Sequence, residues 1–100
     1  MDSFQRLIWW LFQNSAGGPT RVRLVQALRA EPRNAQQLAL TLHLDYTTVR
    51  HHLQVLQRNH LIEVGGEHYG QVYFVAPSLE ERWAMLETIH ANERSRSSRG

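Results

Sequence analysis

Between Asp45 and Asn59 the chain reads DYTTVRHHLQVLQRN, and a helix would gather its polar residues on one side. Val49, Leu53 and Leu56 recur at helical spacing and demand burial, while Thr47, Arg50, His51, Gln54 and Arg58 project elsewhere with donors and acceptors. A guanidinium can grip a guanine through two parallel hydrogen bonds, and a carboxamide can pair an adenine in the same way. A threonine suits a phosphate or a thymine methyl. The stretch therefore reads as a recognition helix whose DNA-facing set is Tyr46, Thr47, Thr48, Arg50, His51 and Gln54. His52 sits nearer the buried side and reads as structural.

The charge distribution supports that chemistry. All eleven basic residues are arginine, and the net charge is only +2. From Thr20 to His60, Arg21, Arg23, Arg29, Arg33, Arg50 and Arg58 face only Glu31 and Asp45, a balance of +4. From Leu61 to Glu93, Arg82 stands alone against Glu63, Glu67, Glu80, Glu81, Glu87 and Glu93, a balance of −5. One basic and one acidic segment suit a molecule that turns one face to a polyanion. Arg21 and Arg23 are accordingly phosphate candidates.

The elements that must position these residues follow from periodicity and punctuation. Phe4 to Gln13 is helical, with Phe4, Leu7, Ile8 and Leu11 as its stripe and Trp9, Trp10 and Phe12 extending the apolar surface around its flanks. A helix apolar nearly all round must be covered on more than one side, and one domain of 100 residues has little second surface to offer. A dimer interface is the expected use; an intramolecular core and contact with a membrane surface are the alternatives. Gly17-Gly18-Pro19 ends this helix, and Thr20 is the expected N-cap of a second that runs to about Ala30 and stops at Pro32. Asn34 with Gln37 forms a capping box for a third, whose inner face is Ala35, Leu38, Ala39 and Leu42. The corner His43-Leu44-Asp45 then leads into the recognition helix, giving a helix-turn-helix.

After Asn59 the period changes to two. Leu61–Val64 and Gln71–Val75 alternate as strands around the glycine-bounded loop 65–70, with Val72 and Phe74 on one face. His68, Tyr69 and Gln71 are weaker DNA-contact candidates, and Tyr73 is assigned to packing. Pro77-Ser78 opens a last helix, with Ser78 and Glu81 as its capping box and Leu79, Trp83, Leu86, Ile89 and His90 as its buried stripe. It is expected to end near Asn92, leaving 93–100 as a disordered polar tail. The fold expected is mainly α with a small β-hairpin, a winged helix-turn-helix of order α-α-α-α-β-β-α in one domain over 1–92.

The segment LDYTTVRHHLQVLQRNHLIEV resembles the recognition helix and following strand of arsenical-resistance-repressor (ArsR-type) winged-helix transcription regulators. The similarity covers roughly Thr20 to Val75, and its wording looks most like small archaeal members. The resemblance implies a homodimer joined through the first and last helices, which places Phe4, Leu7, Ile8, Trp10, Leu11, Trp83, Leu86 and His90 at the interface. It also implies sequence-specific binding of double-stranded DNA and regulation of transcription. The chain departs from the family at three points. It has no cysteine, so thiolate metal sensing is excluded. His43 stands where many such corners carry glycine, and histidine tolerates the left-handed conformation better than most residues. The wing carries Glu67 where a basic residue would favour phosphate.

Other classes fare less well. The six histidines contain no His-x3-His pair, so no metal site within one chain and no cofactor is expected; a dimer that brings two His90 residues together is the alternative left open. No glycine-rich phosphate loop, nucleophile elbow or carboxylate pair marks an enzyme. The block Leu7–Phe12 lacks the basic flank and cleavage site of a signal peptide and is too short to span a membrane, so the chain reads as cytoplasmic. The rival reading is a winged helix used as a protein-interaction module, which would favour apolar residues where Thr, Arg, His and Gln stand.

Overall fold

The computed structural model describes residues 2–66 and 71–98, with side chains described through residue 92. Its elements run α1 Ser3–Phe12, α2 Gly18–Ala30, α3 Ala35–Leu42, α4 Tyr46–Arg58, β1 Ile62–Gly65, β2 Val72–Val75, α5 Pro77–Glu80 and α6 Trp83–Ser98. They belong to two compact units: Met1–Val22 with Arg82–Gly100, and Arg23–Glu81.

In the first unit, Asp2 caps α1 through a complete capping box with Gln5, and α1 packs with α6. Ile8, Leu11, Phe12, Trp83, Leu86 and Ile89 are buried. Asp2 also approaches Arg82 at 3.9 Å, and the Arg82 guanidinium lies 4.5 Å over the Phe4 ring, a cation–π contact that ties the start of α1 to the start of α6. The chain enters α2 earlier than expected. Gly18 and Pro19 occupy its first turn, and Thr20 lies inside the helix rather than capping it. Proline is tolerated there because a first-turn N–H has no intrahelical acceptor. Glycine is required at 18, since a Cβ would sit 2.5 Å from the Phe12 carbonyl oxygen.

The second unit is built as the periodicity predicts. Leu24, Val25 and Leu28 of α2, Leu38 and Ala39 of α3, and Val49, Leu53 and Leu56 of α4 are all buried. Asn34 caps α3 in a capping box with Gln37, and Asp45 caps α4 by accepting from the Thr48 N–H at 3.2 Å. Between them His43 adopts the left-handed conformation, φ 56 and ψ 47, and the Leu44 N–H returns to the Ala39 carbonyl at 2.9 Å. That closure turns the backbone from α3 into α4 within three residues.

The hairpin is antiparallel, with Ile62 opposite Val75, Glu63 opposite Phe74, Val64 opposite Tyr73 and Gly65 opposite Val72. A further bridge was not legible beforehand: the Tyr73 N–H donates to the Arg33 carbonyl at 2.8 Å, and the Arg33 N–H returns to the Tyr73 carbonyl at 3.2 Å. The residue just before the α3 cap thus pairs with the centre of β2.

Three differences concern the last helix. It is divided into α5 and α6 by a turn at Glu81–Arg82. Ser78 caps neither piece; Ala76 is the N-cap residue of α5, and the Ser78 hydroxyl donates instead to the His60 carbonyl at 2.7 Å. His60 itself has φ 60, and the competing acceptor draws Ser78 away from the capping role. Finally, α6 continues through Ser98 where a tail was expected from residue 93. No glycine or proline interrupts 93–98, so nothing there breaks a helix already under way. Among the described residues no helix is long and apolar enough to cross a membrane.

Candidate nucleic-acid interface

The two faces of α4 separate as their residue types require. Val49, His52, Leu53 and Leu56 are buried, while Tyr46, Thr47, Thr48, Arg50, His51, Gln54 and Arg58 are exposed. The His51 and His52 rings meet edge to face, with centroids 5.3 Å apart, although one is exposed and the other buried. The Asp45 carboxylate complements the positive end of the helix dipole, and Arg58 the negative end.

An open cleft of ≈ 680 Å³ lies beside the start of α4, in the angle between α3, the turn and the hairpin. It brings together Tyr46 and Arg50 of α4, Gln71 and Tyr73 of the hairpin, and Leu40 and Leu44 from α3 and the turn. Arg50 Nη1 donates to the Tyr73 hydroxyl at 3.2 Å, a direct tie between α4 and β2. Arg33 is tied in turn to α3, its Nη1 donating to Thr41 Oγ1 at 3.1 Å. A guanidinium has five N–H donors, so Arg50 keeps four for a further acceptor.

Arg21 requires correction, and Arg23 does not share its burial. Arg21 is only 6% exposed, and its Nε donates to the Leu11 carbonyl at 2.8 Å while Nη2 donates to the Ser15 hydroxyl. Burial lowers its pKa through desolvation. It is committed to the C-terminal end of α1, where a cation satisfies carbonyls that the helix leaves open, and is withdrawn from any phosphate role. Arg23 is exposed, but its Nη2 donates to the Leu42 carbonyl at 2.7 Å and so closes the end of α3. His68 and Tyr69, with Glu67, lie outside the described residues.

The expected dimer residues divide. Ile8, Leu11, Trp83 and Leu86 are buried within the single chain, so they are consumed by its own packing and not offered to a second copy. Phe4, Leu7 and His90 are half-buried, and Trp10 is 54% exposed. Trp9, left out of the expected set, is 38% exposed.

Sequence reasoning also missed Tyr73 as a partner of Arg50, and Leu40, which is 73% exposed. Both had a signal. Leu40 falls off the stripe of Ala35, Leu38, Ala39 and Leu42, and strand alternation puts Tyr73 on the face opposite Val72 and Phe74. Among the described residues no three His, Cys, Asp or Glu side chains converge as metal ligands.

A helix-turn-helix domain model matches residues 17–65, which spans α2, α3, α4 and β1. No curated protein is significantly similar in sequence. Solved structures share the fold. The homodimeric winged helix-turn-helix DNA-binding domain of a possible ArsR-family transcriptional regulator from Mycobacterium bovis is 22% identical, with a TM-score of 0.66 over 89% of this chain and 80% of that one. An ArsR-like transcriptional regulator from Rhodococcus sp. RHA1 is 21% identical, with a TM-score of 0.64 over 98% and 91%. The apo-Zalpha domain of zebrafish PKZ is 25% identical, with a TM-score of 0.58 over 62% and 98%. The chain has the winged helix-turn-helix fold.

Proposed function

We propose that the chain binds double-stranded DNA in a sequence-specific manner and regulates transcription as a homodimer. The observation that carries this is the outer face of α4, where Thr47, Thr48, Arg50, His51 and Gln54 stand exposed above a stripe that holds the helix to its own unit. Donors and acceptors on a helix free along one side suit the major groove, whose base edges offer a distinct pattern for each pair. Similarity to a homodimeric DNA-binding domain supports both parts of the reading.

Binding of duplex DNA measured against salt concentration tests it. Affinity is expected to fall linearly with salt on logarithmic axes, by a slope of about −0.9 for each phosphate neutralised. Absence of binding at low salt overturns the proposal. One observation favours a protein partner instead: Leu40 and Tyr46, both exposed, put apolar area beside the polar face. A salt-insensitive association would select that reading.

A further inference from the structure

We infer that Tyr73 is a positioning residue for base readout, acting by holding the Arg50 guanidinium. The inference rests on the DNA-binding reading above and names a residue of the same site. An exposed arginine samples many rotamers, and fixing it on a base costs ordering entropy at the moment of binding. The hydrogen bond from Arg50 Nη1 to the Tyr73 hydroxyl removes part of that freedom beforehand.

The support behind Tyr73 is what makes the contact informative. Its backbone is paired on both sides of the strand: with Val64 across the hairpin, and with Arg33 through two hydrogen bonds. Arg33 is joined to α3 by Thr41. The phenol is therefore presented from backbone fixed to the element before the turn, not from the hairpin loop. Acceptance of one Arg50 N–H leaves the arginine enough donors to make a two-point contact with a guanine. It also leaves the tyrosine O–H free to donate, more strongly because the oxygen is polarised by a cation.

Tyr73→Phe deletes only the hydroxyl. Binding of the full chain to a library of duplexes, compared with Arg50→Ala and the double variant, tests the inference. Tyr73→Phe should lower discrimination roughly two- to tenfold, the range of one ordinary hydrogen bond. The loss should fall at the same base pair that Arg50→Ala relaxes and exceed any loss of affinity for non-specific DNA. In the Arg50→Ala background the second substitution should add nothing. An unchanged preference profile, a loss spread evenly over all positions, or an equal loss without Arg50 overturns the positioning role. Failure of the unsubstituted chain to bind any duplex at low salt would instead remove the DNA-binding reading, and the inference with it.

Discussion

The Arg21 guanidinium closes the end of α1, its Nε donating to the Leu11 carbonyl oxygen at 2.8 Å from the first turn of α2. Arginine is suited to this place because its planar fork reaches the Leu11 carbonyl and the Ser15 hydroxyl together. Arg21→Ala should lower the unfolding free energy by about 1–3 kcal/mol, since it removes the charged donor that the Leu11 carbonyl and the Ser15 hydroxyl share and leaves them only the long bond between them. It should leave the salt dependence of DNA binding unaltered. Urea denaturation and a salt titration measure the two; a slope reduced by about one with stability intact would restore the phosphate role. Because desolvation lowers the pKa of Arg21, the unfolded chain holds this proton more tightly.

His43 at φ 56 occupies a conformation that costs an ordinary residue about 1–2 kcal/mol. His43→Gly should relieve that strain, offset in part by the greater freedom glycine gains on unfolding, for a net stabilisation of up to about 1 kcal/mol. His43→Val should destabilise, because a branched Cβ crowds the same backbone. Chemical denaturation of the two variants checks the order; a glycine variant less stable than the valine one contradicts it.

Arg50→Ala should reduce discrimination at one base pair by about 1–3 kcal/mol while the circular dichroism and melting of the chain stay as they were. An unaltered preference profile would take Arg50 out of the reading set.

Two substitutions in α1 separate the core from the surface. Ile8 is fully buried, so Ile8→Ala should cost about 2–5 kcal/mol whatever the state of association. Trp10, exposed on the same helix, should tolerate Trp10→Glu with the fold retained, and the proposed dimer should dissociate in sedimentation velocity. A Trp10→Glu chain that still sediments as a dimer would place the interface elsewhere.

What the sequence showed and what it hid follow from how far apart the interacting residues lie. The α4 faces, the Asn34 and Asp45 caps and the left-handed His43 are local matters of spacing and side-chain type, and all were legible. The fates of Arg21 and Ser78 were not. Arg21 was assigned from the charge of its segment and Ser78 from its spacing to Glu81, and each was claimed by a carbonyl farther off, Leu11 for one and His60 for the other. The pairing of Arg33 with Tyr73 joins residues from opposite ends of their unit, beyond any periodicity. The excess apolar surface of α1 reads as a demand for cover, and within the single chain Trp9 and Trp10 stay exposed. How much of that cover the chain itself provides depends on which residues α6 brings against it, and spacing does not encode that.

The bridge at Arg33 and Tyr73 has a bearing on how such a molecule can diversify. The ladder between Ile62–Gly65 and Val72–Val75, together with the bridge, holds β2 from both sides. Substitutions at the exposed positions of α4 leave both of those pairings in place, so under the proposed function the outer face of that helix can be exchanged while the strand that carries Tyr73 is kept.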